Sequence, residues 1–134
     1  MIRARIAFRA EPADRLIVVR YIGALDGETL VRQLMTHFRA TEAAWEYDCI
    51  FDLTRHEGVV QAAHNEELGR QWLDVTQGRD TGRMSAIIST DPLVHSRLRG
   101  SQTMFPHRTL AVFNTVDEGR AWIAIERVRL LKSA

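Results

Sequence analysis

The spacing of apolar residues changes along this chain in a regular order. Residues 2–9 alternate between apolar and polar with a period of two, turn residues follow at 11–14, and 16–22 is rich in β-branched side chains. Such runs are typical of strands, so these two predict an antiparallel hairpin. Short apolar runs at 48–53, 84–89 and 108–113 predict three more strands.

Helical spacing of apolar residues separates these strands. Leu30, Leu34 and Phe38 recur every fourth residue after Asp26, a good N-cap, and predict a helix that ends near residue 41. A second helix is predicted over 59–77, with Trp72 as the residue that faces the sheet.

Two further helices are predicted mainly from their start signals. Asp91 as N-cap and Pro92 at the first helical position begin a short helix that runs through Arg99. Thr115 and Glu118 form a capping box ahead of the last helix. The apolar positions of that helix are Ala121, Trp122, Ile125 and Val128.

The order of elements, ββαβαβαβα, predicts an α/β fold in one domain over residues 1–134. Strands joined by helical crossovers pair in parallel, whereas a hairpin pairs antiparallel. We therefore expect a mixed, mostly parallel five-stranded sheet with four helices, in which the first strand lies antiparallel at an edge.

This pattern resembles the STAS fold, and in particular the small bacterial proteins similar to anti-sigma-factor antagonists. The resemblance rests on the element order, on the strand that ends in Asp52, and on the closing strand-helix segment 110–123. It implies a regulatory or signalling module that acts by protein interaction. Signalling members carry Asp-Ser and then Gly after the central strand, but this chain has His56-Glu57-Gly58 there. The phosphorylation switch is therefore not expected, while an acidic surface at that place remains possible.

Composition and charge narrow the classes of partner. Eighteen basic and seventeen acidic residues give a net charge of +1, which disfavours a nucleic-acid binder. No run approaches the ~20 apolar residues of a membrane span. The lone Cys49 lies in an apolar strand pattern, where a buried thiol is inert, and favours a reducing cytoplasm. We expect a cytoplasmic protein.

No residue pattern has the spacing of a catalytic, cofactor or metal site. His56 and Glu57, with Asp52 behind them, could form a general base and its orienting carboxylate, but neighbours on one loop rarely converge on one substrate atom. His64 and Glu67 have metal-ligand spacing on a helix but lack a third ligand. We expect no enzymatic activity, no cofactor and no metal.

Polar residues follow the ends of three predicted strands. In a parallel sheet the carboxyl ends of the strands share one edge, where ligands and partners usually bind. The predicted partner or ligand surface therefore comprises Asp52, Thr54, Arg55, His56, Glu57, Ser89, Thr90 and Asn114.

Two functions are compatible with this sequence. The preferred one is a non-enzymatic, STAS-like regulatory module that binds a protein partner or a second copy of itself as a homodimer. The alternative is a small-molecule or lipid-binding protein with an apolar pocket between sheet and helices. The residues proposed to line that pocket are Trp72, Trp122, Phe113 and Met84. A cavity of several hundred cubic ångströms would favour the ligand, and a fully packed interior would favour the interaction module.

Met104 and Phe105 place two large apolar side chains in a predicted connection. Such residues often pack into a core. They could instead form an apolar interaction surface rimmed by Arg97, Arg99 and Arg108.

Overall fold

Five strands form one mixed sheet in a computed structural model that describes residues 3–133. In spatial order they are β1 Arg5–Glu11, β2 Leu16–Gly23, β3 Asp48–His56, β4 Met84–Ile88 and β5 Thr109–Phe113. β1 pairs antiparallel with β2 at the edge, and the remaining neighbours are parallel. The predicted fold class and the position of the first strand are confirmed. Ile2, predicted to begin the first strand, lies outside the described residues.

Five α-helices connect or follow the strands within the described part of the chain. They are α1 Gly27–Ala40, α2 Ala62–Thr76, α3 Pro92–Ser96, α4 Leu98–Met104 and α5 Val116–Ser133. Single 3-10 turns occur at Pro12–Asp14 and Ala44–Glu46. The sequence predicts four helices because α4 is hidden by Gly100 and hydroxyl residues, which have low helix propensity. The predicted connection before β5 is therefore largely helical.

Three of the four predicted helix starts are confirmed in atomic detail, whereas α2 begins at Ala62 instead of residue 59 and has no side-chain cap. Asp26 accepts a hydrogen bond from the Thr29 backbone N–H (2.8 Å), and Asp91 accepts one from Leu93 (2.9 Å). At the start of α5, the Thr115 and Glu118 side chains each accept a hydrogen bond from the other residue's backbone N–H. These caps satisfy N–H groups that the first helical turn leaves unpaired.

The two faces of the sheet belong to separate apolar clusters. One face packs against α1 and α2, and its buried residues include Val19, Tyr21, Leu34, Phe38, Cys49 and Trp72. The opposite face lies under α5, with the buried residues Leu16, Val18, Ile50, Met84, Ala86, Ile88 and Ile123. Successive side chains of a strand point to opposite faces, so β2 and β3 contribute to both clusters, whereas the buried apolar residues of β4 belong to the cluster under α5.

α5 contacts the sheet through residues other than the apolar positions predicted from the sequence. Gly119 and Ile123 are the buried residues of the helix. A Cβ on Gly119 would lie 2.8 Å from Ile88 Cδ1 and 3.1 Å from Ala86 Cβ, so glycine permits close approach there. Ile125 and Val128 are instead 59% and 50% exposed. The exposed side of α5 therefore carries apolar residues among charged ones such as Glu118 and Arg129.

Candidate functional site

The predicted surface after β3 is part of the strand itself. β3 continues past the last residue of β4 and pairs there with β2 alone, Arg55 with Ile22 and His56 with Gly23. A register irregularity between Arg20 and Ile22 accompanies this extension. The sequence predicts that β3 ends at residue 53, because the residues that follow are polar. β3 continues to His56, since this end of the strand is partly exposed to solvent, where polar side chains are tolerated.

Asp52 and Thr54 are bonded to each other. Asp52 Oδ1 accepts hydrogen bonds from Thr54 N–H (3.0 Å) and from Thr54 Oγ1–H (2.6 Å). Strand alternation puts Asp52 on the side of Ile50, the α5 face. This carboxylate is therefore engaged locally and faces away from α1 and α2.

His56 lies on the other side of the sheet. Its ring packs edge-on against Tyr21, with the ring centroids 5.7 Å apart. His56 Nε2 is buried and has no hydrogen-bond partner within the described residues. Arg55 and Glu57 on either side are exposed. Because Asp52 and His56 occupy opposite faces, the hypothetical base and orienting carboxylate do not come together.

The remaining predicted residues lie at the same edge but are dispersed. Ser89 is buried, and its Oγ accepts a hydrogen bond from the Asp91 N–H at 3.1 Å. Thr90 and Asn114 are exposed. The structure therefore places the predicted set along the carboxyl edge of the sheet without assembling it into one polar cluster.

A cavity of about 140 Å³ lies between the sheet and the helices α1, α2, α3 and α4. Its sheet wall consists of alternate residues of neighbouring strands, including Tyr21, Cys49, Phe51, Leu53, Ser85 and Ile87. Its helical wall includes Leu34, Phe38, Trp72 and Leu98, and Phe105 lines it directly after α4. Most of these side chains are aliphatic or aromatic, so the cavity favours apolar occupants.

The cavity reaches the surface at the carboxyl edge of the sheet. Val59, in the segment between β3 and α2, lines the cavity and is 51% exposed, and Leu93 of α3 lines it and is 40% exposed. Arg97 reaches across from α3 to this segment, since its guanidinium donates to the Val60 carbonyl at 3.3 Å. The mouth is therefore formed by one irregular segment and one short helix.

Few polar groups accompany the apolar lining. Asn65 of α2 donates to Ser101 Oγ of α4 at 3.1 Å, and this bond ties two helical walls together. Ser85, which is buried, pairs in register with Cys49 on one side and Leu110 on the other. An occupant thus meets a mainly apolar surface with isolated hydroxyl and amide groups, and the lining also includes the ionisable side chains of His56, Asp91, Arg97 and Arg108.

A buried ion pair closes the end of the cavity farthest from the mouth. Arg108, which lines the cavity, lies 3.3 Å from Asp80 Oδ2 and donates to the Tyr47 and Met84 carbonyls at 3.0 and 3.1 Å. Trp72 Nε1–H also donates to Asp80, at 2.8 Å. These hydrogen bonds offset part of the cost of burying two charges, while Asp80 Oδ1 and Arg108 Nε have no hydrogen-bond partner within the described residues.

Burial favours the neutral forms of two groups in the sheet wall, Cys49 and Tyr21. It raises the pKa of Cys49 from 9.0 to about 11, and it raises the pKa of Tyr21 as well. A thiol is nucleophilic only as a thiolate. The prediction of a buried, inert Cys49 is consistent with this environment.

Only one of the four residues proposed to line the pocket does so. Trp72 lines the cavity, whereas Met84, Phe113 and Trp122 belong to the apolar cluster under α5. The proposal was wrong for these three because apolar character alone does not indicate the face of the sheet. Strand alternation is the signal that could have sorted them, since Met84 and Ser85 necessarily point to opposite faces.

The segment before β5 packs inward. Phe105 contacts the α1 and α2 cluster and lines the cavity, as the packing interpretation predicts. Arg108 is 4% exposed, so its assignment to the rim of a surface patch was wrong. Its ion-pair partner Asp80 lies 28 residues away, and no local pattern indicates that pair.

Two further properties concern the whole described chain. Residues 3–133 contain no group of three or more His, Cys, Asp or Glu residues that could hold a metal ion. None of the helices in this range combines the length and the apolar content of a bilayer span.

The fold resembles that of a solved structure, the crystal structure of an uncharacterised protein of the DUF3478 family with a SpoIIAA-like fold from Shewanella loihica PV-4. The TM-score is 0.58 at 18% sequence identity, and the match covers 92% of this chain and 95% of the other. No protein-family model matches the sequence, and no curated protein matches it. The structural likeness shows the fold, which is the SpoIIAA-like arrangement expected from the element order.

Proposed function

We propose that this chain is a non-enzymatic binding module of STAS-like fold that holds an apolar small molecule between its sheet and α1 to α4. The observation that carries this proposal is the cavity of about 140 Å³ with its aliphatic and aromatic walls. Protein interiors are normally packed without voids much larger than a water molecule. An apolar cavity of roughly 150 Å³ can hold a benzene-sized molecule.

The size of the cavity restricts the occupant. It is smaller than the several hundred cubic ångströms of a drug-sized site, so a compact apolar group or a narrow chain fits it better than a polycyclic molecule. The exposed Val59 and Leu93 at the mouth give the occupant a route to solvent. A longer molecule could extend through this mouth.

The absence of enzymatic activity is part of the proposal. His56 Nε2 is enclosed, Glu57 is exposed, and Asp52 lies on the opposite face of the sheet. General acid–base catalysis needs such groups within hydrogen-bond reach of one substrate atom. This arrangement supports binding without chemistry.

The ligand proposal is tested by native mass spectrometry of the purified protein and by calorimetric titration with benzene, a probe of the size that the cavity can hold. We expect either retained mass that disappears on denaturation or a saturable heat of binding. Ile87→Phe, which fills the cavity, should weaken probe binding at least about tenfold, equivalent to 1.4 kcal/mol. Leu73→Phe is the matched control, because Leu73 is exposed on α2 and does not line the cavity. Equal probe affinity in wild type and both variants would contradict the proposal.

A second candidate function is protein interaction at the carboxyl edge, which was the preferred expectation from the sequence. The observation that favours it is the exposure of Arg55, Glu57, Thr90 and Asn114 at the edge where the cavity opens. Replacing Arg55 and Glu57 together with Ala should change the free energy of unfolding by no more than about 0.5 kcal/mol. His56 is left intact because its ring packs on Tyr21. Quantitative capture from native cell extract should lose specific partners in this variant, and an unchanged set would contradict the interaction.

A further inference from the structure

The two edges of the sheet differ in how their backbone groups are covered. At β5, the Gln102 side chain of α4 accepts a hydrogen bond from the Leu110 N–H at 2.8 Å and donates one to the Arg108 carbonyl at 2.7 Å. β1 is longer, with seven residues against five. Within the described residues its edge carries one such bond, from the Ile6 N–H to Gln33 of α1 at 3.4 Å. An open edge of this kind can pair with a further strand.

The backbone groups at the open edge belong to Ile6, Phe8 and Ala10. In an antiparallel ladder, residues alternate between those that exchange hydrogen bonds with the neighbouring strand and those that point away from it. The Ile6 N–H meets Gln33 and points away from β2, and Phe8 and Ala10 follow at steps of two. The side chains of the same three residues lie on the face covered by α1.

The sequence of β1 is complementary to itself when it is reversed about Phe8. In an antiparallel pair of β1 strands centred there, Phe8 lies opposite its own copy and Ile6 lies opposite Ala10. On the other face of this ladder, Arg5 lies opposite Glu11. Aromatic pairs and opposite charges directly across a ladder are stabilising. Every contact occurs twice, as a two-fold interface requires.

The charges of β1 disfavour the neighbouring registers. A slip of two residues keeps each side chain on its face but moves the centre to Ala7 or to Arg9. The first slip places Arg5 opposite the partner's Arg9, and the second places the two copies of Arg9 opposite each other. Like charges in these positions are destabilising. In the register centred on Phe8, Arg9 lies opposite Ala7 and keeps its ion pair with Glu11 of the same chain, at 3.2 Å.

We propose that two copies of this chain associate through antiparallel pairing of their β1 strands, which joins two five-stranded sheets into one. A second copy is the occupant that fits this edge, because β1 supplies both members of every pair. The three edge pairs exchange about six backbone hydrogen bonds, two for each pair. One strand per chain gives a small interface, so the dimer is weak and concentration-dependent. This association does not depend on the cavity or its occupant.

Sedimentation equilibrium of the full chain tests the association. We expect a reversible monomer–dimer equilibrium that Arg5→Glu weakens about tenfold, since it replaces two attractive pairs with two repulsive ones. Arg99→Glu is the matched control, because it makes the same charge change at an exposed position of α4, beside the opposite edge of the sheet. A wild-type protein that remains monomeric up to millimolar concentration would overturn the proposal, as would a dimer that both variants weaken equally.

Cysteine cross-linking between two variants tests the register. Arg5→Cys and Glu11→Cys, prepared separately and mixed, should form a disulfide with each other, because directly opposed residues have Cα atoms about 4.5–5.5 Å apart. Either variant alone should cross-link poorly, since the two copies of residue 5, or of residue 11, lie about 20 Å apart along the ladder. Cys49 is buried and leaves the background clean. Equal cross-linking in the mixture and in either single variant, or none in the mixture, would overturn the pairing.

Hydrogen exchange locates the interface without any substitution. Once about nine-tenths of the chains are paired, the Phe8 and Ala10 amides should exchange about tenfold more slowly than in the monomer, because their N–H groups then donate to the second copy. The Leu110 amide is the internal reference, since its N–H is already bonded to Gln102 and should not respond to concentration. A dimer that gives no added protection at Phe8 and Ala10 has another interface and would contradict the proposal.

Discussion

The two faces of the sheet differ in how completely they are filled. One face is covered by a single long helix, α5. This helix lies close to β4, since Gly119 lets its backbone approach Ile88 and Ala86. On the other face, α1 and α2 cover β2 and β3, while the short helices α3 and α4 leave a cavity beside them. Neighbouring residues of one strand, Ile87 and Ile88, therefore lie in very different surroundings. The comparison shows that the connection between β4 and β5 determines where this fold has room for a ligand.

The largest expected loss of stability comes from removing the buried ion pair between Arg108 and Asp80 at the inner end of the cavity. Arg108→Ala removes the ion-pair partner of Asp80, which then keeps only the hydrogen bond from Trp72, in a site where both side chains of the pair are 2% exposed. Loss of one partner of a buried pair costs about 3–5 kcal/mol. Urea denaturation should show this loss. Arg15→Ala serves as control, because it removes an exposed pair with Glu46 and should cost less than about 1 kcal/mol. Equal losses in the two variants would contradict a buried structural pair.

Alkaline pH should lower the free energy of unfolding through Cys49, which lies on the cavity face. Burial raises the pKa of Cys49 from 9.0 to about 11, so between these values the unfolded chain releases a proton that the folded chain retains. The contribution of Cys49 is therefore intact below pH 9 and is lost as the pH rises to about 11. The loss is up to about 2–3 kcal/mol, at about 1.4 kcal/mol per pKa unit. Denaturation across this range should show a shallower decline in Cys49→Ala. A decline identical to that of the wild type would exclude Cys49 as its source.

Enlarging adjacent residues of β4 separates the two faces directly. Ile88 is fully buried under α5, so Ile88→Phe should overpack that face and cost about 1–3 kcal/mol. Ile87 borders the cavity, so Ile87→Phe has room for the larger ring and should stay within about 0.5 kcal/mol of the wild type. Chemical denaturation of both variants measures the difference. A greater loss in Ile87→Phe than in Ile88→Phe would reverse the comparison.

The smallest effect is expected from two glycines in helices. Gly119→Ala places a methyl group 2.8 Å from Ile88 Cδ1 and should destabilise the fold by about 1 kcal/mol despite the better helix propensity of Ala. Gly100→Ala in α4 meets nothing within 4 Å and should stabilise it by about 0.5–1 kcal/mol. Thermal unfolding resolves the two signs. Stabilisation by both substitutions would indicate that α5 is not closely packed on β4.

The sequence predicts what depends on local patterns. The strands, their pairing and the helix starts at Asp26, Asp91 and Thr115 follow from periodicity and capping, which act within a few residues. The helical character around Gly100 is missed because α4 has poor intrinsic propensity and is stabilised by tertiary contacts, which can override it.

The candidate site is less accessible to sequence reasoning. Arg55, Glu57 and Asn114 lie at the carboxyl edge because they follow the strand ends in the chain, but the cavity results from the separation of elements far apart in the chain. The burial of Arg108 depends on Asp80, and the exposure of Ile125 depends on which side of α5 carries Gly119. Such relations exist only once the helices are placed on the sheet.

The most direct test of the difference between the two faces is methyl NMR of the isoleucine and leucine side chains during titration with benzene. We expect saturable shifts of the Ile87, Leu34 and Leu98 methyl signals on the cavity face, while the Ile88 and Ile123 signals under α5 do not move. The signals of both faces are measured in the same wild-type sample, so the comparison does not depend on variants that differ in stability. Equal shifts of Ile87 and Ile88, or no saturable shift at either, would contradict a ligand cavity confined to one face of the sheet.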